Sequence, residues 1–398
     1  MMDLPKSILN KAELIFSQLQ VWRRHLHQNP ELSFEEEHTS KFIQSVLHDL
    51  GVQFKSGFVK HGIVAQISGK QSGDQKLILR ADMDALPIEE KTALSFKSTQ
   101  EGVMHACGHD IHTACLLGAV SILNEMRHTF SGSIDFVFQP GEELLPGGAK
   151  LMLEEKAIDL HAMAILGQHV EPTLPAGTVG FHSGKFMASC DELHISVTGN
   201  GGHAATPHKI NDTVLASAQL IVNLQQVCSR LKPTDEASVL SIGYVNAAGA
   251  TNVIPNQVSL QGTFRALNEE WRSTAHKHIL RIAEATAKSH GVEIDMDIRK
   301  GYPSVFNHPA LTDSCKDYAR ELLGEAHVVE VPQRMGGEDF GYYSQAMKGC
   351  FWRLGVGHEN QENYGLHSNK FNPNEKSMLT GSALMAYLAI QLLNENKD

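Results

Sequence analysis

Apolar residues follow a repeating pattern through the first half of the chain. Helical periodicity at residues 6–24, 34–50 and 113–126 alternates with short strand-like runs at 63–67, 76–81 and 133–139. Strands that alternate with helices predict a mixed or parallel sheet with helices on both of its faces. The chain up to about residue 184 is therefore predicted to form an α/β domain.

The pattern changes at about residue 185. Strand-like alternation at 192–198, 237–245, 258–267 and 292–298 is interrupted by helical periodicity at 212–230 and 269–290. The order β-α-β-β-α-β is the ferredoxin-like arrangement. After residue 301 the chain returns to helix and loop patterns. We therefore expect a catalytic domain made of residues 1–184 and 302–398, with residues 185–301 inserted in it as a small α+β domain.

The composition excludes several classes of partner. The 398 residues are 42% hydrophobic and 20% charged, as in an ordinary globular protein. A formal net charge of −11 argues against nucleic acid and against an anionic membrane surface. Six scattered cysteines, no signal-peptide pattern and no uninterrupted apolar run of about 18 residues favour a cytoplasmic protein without a membrane partner.

Metal-ligand residue types are concentrated in two short segments. Cys107 and His109 directly precede the helical pattern at 113–126, and Glu142 and Glu143 follow the strand-like run at 133–139. Thiolate, imidazole and carboxylate groups together suit zinc or a similar divalent transition ion. Of two adjacent glutamates, one can hold the ion while the other takes a proton from an activated water. These residues predict a metal-dependent hydrolase.

Nine segments carry a family resemblance that covers nearly the whole chain. In order they are 24–33, 80–87, 105–112, 139–143, 199–203, 252–255, 262–265, 337–340 and 366–368. They resemble the bimetallic aminoacylase and carboxypeptidase superfamily of metallopeptidases. The closest resemblance is to its amidohydrolase subfamily of hippurate, N-acyl-amino-acid and auxin-conjugate hydrolases. The resemblance implies a mixed-sheet, di-metal peptidase-like catalytic domain with an inserted ferredoxin-like dimerisation or lid domain.

The resemblance also implies a metal site. It assigns five protein ligands to two divalent ions, with the first of them bridging as a thiolate: Cys107, His109, Glu143, His169 and His367. Glu142 would be the general base and acid. A mixed set of thiolate, imidazole and carboxylate ligands leaves zinc, manganese, nickel and cobalt open.

One motif departs from the wider superfamily. Asp82 stands where the superfamily has a ligand histidine, and the subfamily pattern implies that His109 and the thiolate compensate. Asp84 is then expected to orient a ligand or the bridging water from the second coordination shell. Its alternative role is a helix or turn cap.

Three residues of the inserted domain are implied to act on the substrate. His203 follows a glycine-rich turn, and its family counterpart reaches the catalytic site, often from the partner subunit, to stabilise the oxyanion. Asn252 and Arg265 resemble positions that hold the carboxylate of the amino-acid product, a task suited to the planar guanidinium group. A strand-surface charge is the alternative for Arg265. This assignment predicts a homodimer.

The leading hypothesis is a cytosolic amidohydrolase that splits N-acyl-L-amino acids into a carboxylic acid and an amino acid. N-acetyl, N-benzoyl and indole-acetyl amino acids are the expected small-molecule substrates. A dipeptidase or carboxypeptidase of the same superfamily is the alternative among enzymes. A non-catalytic metal-binding or peptide-binding protein is the alternative of another class, although an intact Glu142 beside all five predicted ligands argues against it.

Overall fold

The computed structural model of the chain describes residues 3–395. The helices are α1 (Leu4–Leu14), α2 (Phe16–Gln28), α3 (Glu37–Asp49), α4 (His109–Glu125), α5 (Gly148–Glu154), α6 (Thr213–Leu224), α7 (Glu269–His290), α8 (Pro309–Leu323), α9 (Phe340–Ala346) and α10 (Ser377–Asn394). The strands are β1 (Gln53–Phe58), β2 (Gly62–Ser68), β3 (Gln71–Asp82), β4 (Ser131–Gln139), β5 (Ala164–Pro175), β6 (Val179–Phe181), β7 (Gly184–Met187), β8 (Asp191–Thr198), β9 (Gly202–His203), β10 (Ser238–Asn246), β11 (Val253–Ile254), β12 (Gln257–Ala266), β13 (Glu293–Lys300), β14 (Val305–Asn307), β15 (Val328–Glu330) and β16 (Gly349–Gly357).

The chain divides into two compact units. The first consists of the chain up to Gly184, the segment Phe306–Pro332 and the chain from Tyr342 onwards. The second consists of Lys185–Val305 together with Gln333–Gly341. The insert expected from the sequence, residues 185–301, falls within the second unit.

The first unit contains an eight-stranded mixed sheet. Its strand order is β1-β2-β4-β3-β5-β16-β6-β15, and β3 pairs in parallel with β4 and β5. Leu77, Ile78 and Leu79 of β3 are fully buried. A continuous apolar run of this kind belongs to an interior strand that is covered on both faces. The α/β fold class predicted from the alternating pattern is thus confirmed.

Two buried helices form much of the core of the first unit. Every residue of α4 from His109 to Leu123 is buried, and α10 packs against this helix. Helix α10 is long and apolar enough to span a membrane by length and composition, but 83% of that window is buried inside the protein. Core helices of globular proteins meet the same criteria, so this helix is weak evidence for a membrane span.

Helix α4 begins at a turn that only glycine accommodates easily. Gly108 caps the helix with φ +81°, and a Cβ at this position would lie 2.6 Å from Val170 Cγ2. A larger residue would be strained by both the dihedral angle and the contact. The turn places Cys107 in the loop, as the sequence pattern predicted, but His109 is the first residue of α4, which begins four residues before the predicted helical run 113–126.

The N-terminal helical segment differs from the prediction. Residues 6–24 were expected to form one helix, whereas α1 and α2 are separated at Ile15, whose backbone has φ −93° and ψ 0°. The interruption is local. Ile15 N–H still donates to Lys11 O, and Leu19 N–H donates to Ile15 O. Because helical hydrogen bonding continues across the break, the apolar periodicity does not reveal it.

The second unit contains the ferredoxin-like order predicted from the sequence. Its four-stranded antiparallel sheet has the order β10-β12-β8-β13, and α6 and α7 pack against each other and against strands of this sheet. Leu193, Ile195 and Val197 of β8 are buried, while the residues between them are more exposed. This alternation is typical of a sheet with one covered face.

Candidate metal centre

The predicted ligands of the first unit come from its strand ends and adjoining loops. Cys107 and His109 lie where the chain enters α4, Glu143 follows β4, His169 lies in β5, and His367 lies in the loop after β16. The carboxyl ends of neighbouring parallel strands meet at one edge of a sheet, and this is where ligands gather in open α/β sheets.

These five side chains form two groups that share one residue. In the first group, Cys107, His109 and His169 each offer a ligand atom within 4.8 Å of the others. In the second group, Cys107, Glu143 and His367 do the same. The shared Cys107 is buried, and its Sγ lies 3.4 Å from His169 Nε2. The arrangement offers positions for two cations with one thiol between them.

Hydrogen bonds orient the two buried imidazoles. Nδ1 of His109 lies 3.0 Å from the backbone oxygen of Asp84, and Nδ1 of His169 lies 2.8 Å from the backbone oxygen of Val170. A carbonyl oxygen can only accept, so each Nδ1 carries a proton, and Nε2 is left as the nitrogen that can bind a metal ion. This is the usual tautomer of a histidine that binds a metal through Nε2.

Two buried polar atoms at the centre are free to coordinate a cation. His109 Nε2 and Glu143 Oε1 have no hydrogen-bond partner within the described chain, although His367 Nε2 lies 3.3 Å from that oxygen. Burial, then the carboxylates of Glu143 and Glu142, raises the pKa of the Cys107 thiol well above its usual range. A nearby dication would reverse this effect, because a coordinating thiol loses its proton. The donor set of thiol, imidazoles and carboxylate therefore suits a transition-metal ion.

Asp82 and His112 form a separate hydrogen-bonded chain beside this centre. Asp82 Oδ1 lies 2.6 Å from His112 Nδ1, and its Oδ2 accepts from Arg80 Nη1 at 2.7 Å. His112 Nε2 accepts from the backbone N–H of Val170 at 2.9 Å. Although these residues lie near His109, both nitrogens of His112 are already used. We therefore interpret the pair as a link between β3, α4 and β5 and not as a third ligand group.

Asp84 contacts two of the predicted ligands. Its Oδ1 lies 3.2 Å from His109 Nδ1, and its Oδ2 accepts from the backbone N–H of Glu143 at 2.9 Å. The same Oδ2 accepts from Ser33 Oγ at 2.6 Å. The contact with His109 is one that an orienting residue would make, and the bond to Glu143 N–H is one that a turn cap would make, so both predicted roles remain open.

Glu142 lies at the edge of the ligand groups. Its side chain is buried, and Oε2 is 4.0 Å from His109 Nε2. Burial lowers the pKa of His109, but Asp82 and Asp84 raise it more strongly, to about 10 in the absence of a cation. The same imidazole therefore has strong negative charge around it, which favours cation binding.

The remaining predicted residues belong to the second unit. His203 on β9 is exposed, pairs with Val253 on β11, and accepts from Ala205 N–H at Nδ1. Asn252 is also exposed and immediately precedes β11. Arg265 on β12 donates through Nη1 to Cys190 Sγ at 3.0 Å and to Met335 O at 3.1 Å. The structure thus places Asn252 next to the strand pair that carries His203 and places Arg265 on the main sheet of the unit.

The sequence did not identify two polar residues near the centre. Ser33 binds Asp84, and Glu36 accepts from the backbone N–H of Gly141. Glu36 lies in a run of three glutamates near the start of the predicted helix 34–50, and acidic residues are typical of an exposed helix start. Only the burial of the middle glutamate distinguishes it from the exposed Glu35 and Glu37.

A mixed α/β sheet with two cation positions at its strand ends defines a class of metal-dependent hydrolases. The family model of peptidase family M20/M25/M40 matches residues 78–391, so the chain belongs to this family. This finding confirms the resemblance drawn from the sequence.

Relatives agree with this assignment. The N-acyl-L-amino acid amidohydrolase of Geobacillus stearothermophilus is 40% identical over 72% of this chain and 77% of its own length. The N-acetyl-L-cysteine deacetylase of Bacillus subtilis is 36% identical over 94% of this chain and 88% of its own length. The crystal structure of the Bacillus subtilis YXEP protein, described as a dinuclear metal-binding peptidase of the M20 family, is similar with a TM-score of 0.83 and 33% identity. That comparison covers 96% of this chain and 99% of the other.

The shared position of Cys107 generates a prediction. Cys107→Ser should lower metal content and activity together, because a hydroxyl group is a poorer ligand than a thiolate for these ions. Elemental analysis of the purified variant and an amide-hydrolysis assay measure the two effects. Cys228→Ser, which changes a half-buried thiol of the second unit, is the control and should retain both. Full metal occupancy with normal turnover in Cys107→Ser would remove this residue from the site.

Proposed function

We propose that this protein is a metal-dependent amidohydrolase that cleaves N-acyl-L-amino acids to a carboxylate and a free amino acid. The observation that carries the proposal is the position of Glu142 beside two ligand groups that share Cys107. Cys107, His109, Glu143, His169 and His367 would hold two divalent ions of zinc, manganese, nickel or cobalt. The activities in the names of the two relatives support the substrate class.

The residues of the centre have separate tasks in this proposal. Bound divalent ions lower the pKa of a water molecule and polarise the scissile carbonyl. Glu142 accepts the proton from the attacking water and later donates one to the leaving amine. Asp84 keeps His109 and the Glu143 backbone in place during both steps. The reaction therefore needs no covalent enzyme intermediate.

The residues of the second unit bind the substrate in this proposal. His203 stabilises the tetrahedral oxyanion, and Asn252 and Arg265 bind the carboxylate of the amino-acid part. The exposed positions of His203 on β9 and of Asn252 just before the paired strand β11 support a role in contact with a ligand or another subunit.

We also propose that residues 185–301 form a dimerisation and lid domain, so that the protein is a homodimer. The support is apolar surface on this unit. Leu215 and Val222 of α6 are 57% and 65% exposed, and Tyr244 and Val245 of β10 are 45% and 56% exposed. Strand β10 lies at the edge of its sheet. An edge strand and a helix with exposed apolar residues can pair with the same elements of a second copy.

A cytoplasmic location without nucleic-acid or membrane partners completes the proposal. All six cysteines are free thiols, as expected in a reducing compartment. The net charge of −11 disfavours binding to phosphate-rich surfaces.

The proposed function is tested with metal-loaded protein and a matched set of substrates. N-acetyl, N-benzoyl and indole-acetyl amino acids should be hydrolysed, whereas dipeptides with a free α-amine should be poorer substrates. Release of the amino acid, followed by chromatography, measures both rates. Faster hydrolysis of the dipeptides would favour the peptidase alternative, and no hydrolysis of any amide would favour a binding protein.

The two adjacent glutamates should give different phenotypes. Glu142→Gln should keep metal content and folding near normal while turnover falls about 10²–10⁴-fold, the usual contribution of a positioned general base. Glu143→Gln should instead lose metal, because it removes a charged ligand. Metal analysis and turnover of both variants measure this difference. Reversed phenotypes would exchange the two roles.

Mixed dimers test whether His203 acts on the partner's centre. Glu142→Gln and His203→Ala should each be nearly inactive alone. When the two variants are co-expressed and pair at random, about half of the dimers are mixed, and each mixed dimer has one intact site if His203 acts in trans. About a quarter of wild-type activity should then return. Absence of recovery, with mixed dimers verified by mass spectrometry, would show that His203 does not act across the dimer.

A further inference from the structure

Glu36 contacts the loop between β4 and α5, which carries Glu142 and Glu143. It lies just before α3, its side chain is fully buried, and its Oε1 accepts from the backbone N–H of Gly141 at 2.7 Å. Gly141 is followed directly by Glu142 and Glu143. A buried acceptor on this backbone therefore acts close to the proposed base and ligand.

Phe34 covers the same end of the loop. Gly141 has φ +64°, and a Cβ at Gly141 would overlap the ring of Phe34. Phe34 itself has φ +66°, in the left-handed region. This conformation is unfavourable for a bulky residue, and such strain is concentrated at functional sites. The structure thus holds Phe34 in an unfavourable conformation where its ring lies against Gly141.

Asp84 holds the other end of the loop. Its Oδ2 accepts from Glu143 N–H and from Ser33 Oγ. The segment of residues 33–36 therefore reaches the loop in two ways: directly through Glu36 and Phe34, and through Asp84 by way of Ser33. Two buried carboxylates accept from the backbone N–H groups that flank Glu142, at Gly141 and at Glu143.

We propose that Glu36 is a positioning residue, which with Phe34 holds the Gly141 end of the loop so that Glu142 and Glu143 point into the metal centre. The inference rests on the proposed roles of those two glutamates. Proton transfer and metal binding both depend on placement, and an error of about 1 Å can cost about 10²-fold in rate. A fixed backbone at Gly141 limits such an error.

The raised pKa of the Glu36 carboxyl group makes glutamine the conservative replacement. Burial, then the charge of Asp84, raises the pKa of Glu36 to about 8. A neutral carboxyl group avoids an unpaired charge in the interior, where Oε2 has no hydrogen-bond partner within the described chain. Glutamine has nearly the same shape, and its amide oxygen can still accept from Gly141 N–H. Methionine fills similar space without a strong acceptor.

The test compares Glu36→Gln with Glu36→Met. Peptide-level hydrogen–deuterium exchange across residues 139–145 of the metal-free protein reports the Gly141 hydrogen bond without reference to activity. Exchange in this peptide should be about tenfold faster in Glu36→Met and unchanged in Glu36→Gln, as expected for loss of one hydrogen bond. In the metal-loaded protein, kcat should fall about 10–100-fold in Glu36→Met with KM within about threefold, while Glu36→Gln stays within about threefold of wild type.

Glu35→Met is the matched control, because it makes the same replacement at the exposed neighbouring glutamate. It should change neither exchange nor kcat. Wild-type exchange and kcat in Glu36→Met would overturn the proposal. So would a Glu36→Gln variant that is as impaired as Glu36→Met, because the acceptor would then not be the cause.

A second variant covers the case in which Glu36→Met does not fold. Phe34→Gly suits the left-handed φ and removes the benzyl side chain without adding a new group, so it should fold, accelerate exchange across 139–145 and lower kcat. Wild-type behaviour of this variant would count against the proposal. If the wild-type protein hydrolyses no N-acyl amino acid, the proposed function fails, but exchange in the metal-free variants still decides whether Glu36 holds the loop.

Discussion

The Asp84 carboxylate joins three segments that are far apart in the sequence. It lies next to the His109 imidazole at the start of α4, accepts from the Glu143 backbone after β4, and accepts from Ser33 before α3. A fully buried carboxylate is costly unless hydrogen bonds replace its hydration. Because its partners come from separate elements, the contacts that stabilise this charge also fix the predicted ligands relative to one another.

The apolar core of the first unit explains why polar groups can be concentrated at the metal centre. The interior strands and α4 bury continuous apolar runs, and polar side chains gather where the parallel strands end. Arg80, Asp82 and His112 form a second buried chain that ends on the Val170 backbone, next to His169. In both chains, side chains next to the centre bind backbone groups of predicted ligands or of their neighbours, at Glu143 and at Val170. These contacts hold the predicted ligands in position before a metal ion is bound.

Much of the fold followed from local patterns. The alternation of helix and strand predicted the mixed sheet, and the β-α-β-β-α-β order predicted the ferredoxin-like topology of the second unit. Periodicity failed at Ile15, because helical hydrogen bonds continue across a break of one residue. It also could not distinguish Glu36 from Glu35 and Glu37, because all three suit the start of an exposed helix.

The sequence alone determined the fold class and the types of side chain available to bind a metal, because apolar periodicity and side-chain chemistry are properties of short segments. Only the tertiary structure decided how Cys107 is shared between two groups and which nitrogen of His109 and His169 faces the centre. It also decided that Glu36 is buried against Gly141. The physical reason is that these features depend on hydrogen bonds and packing between segments that only folding brings together.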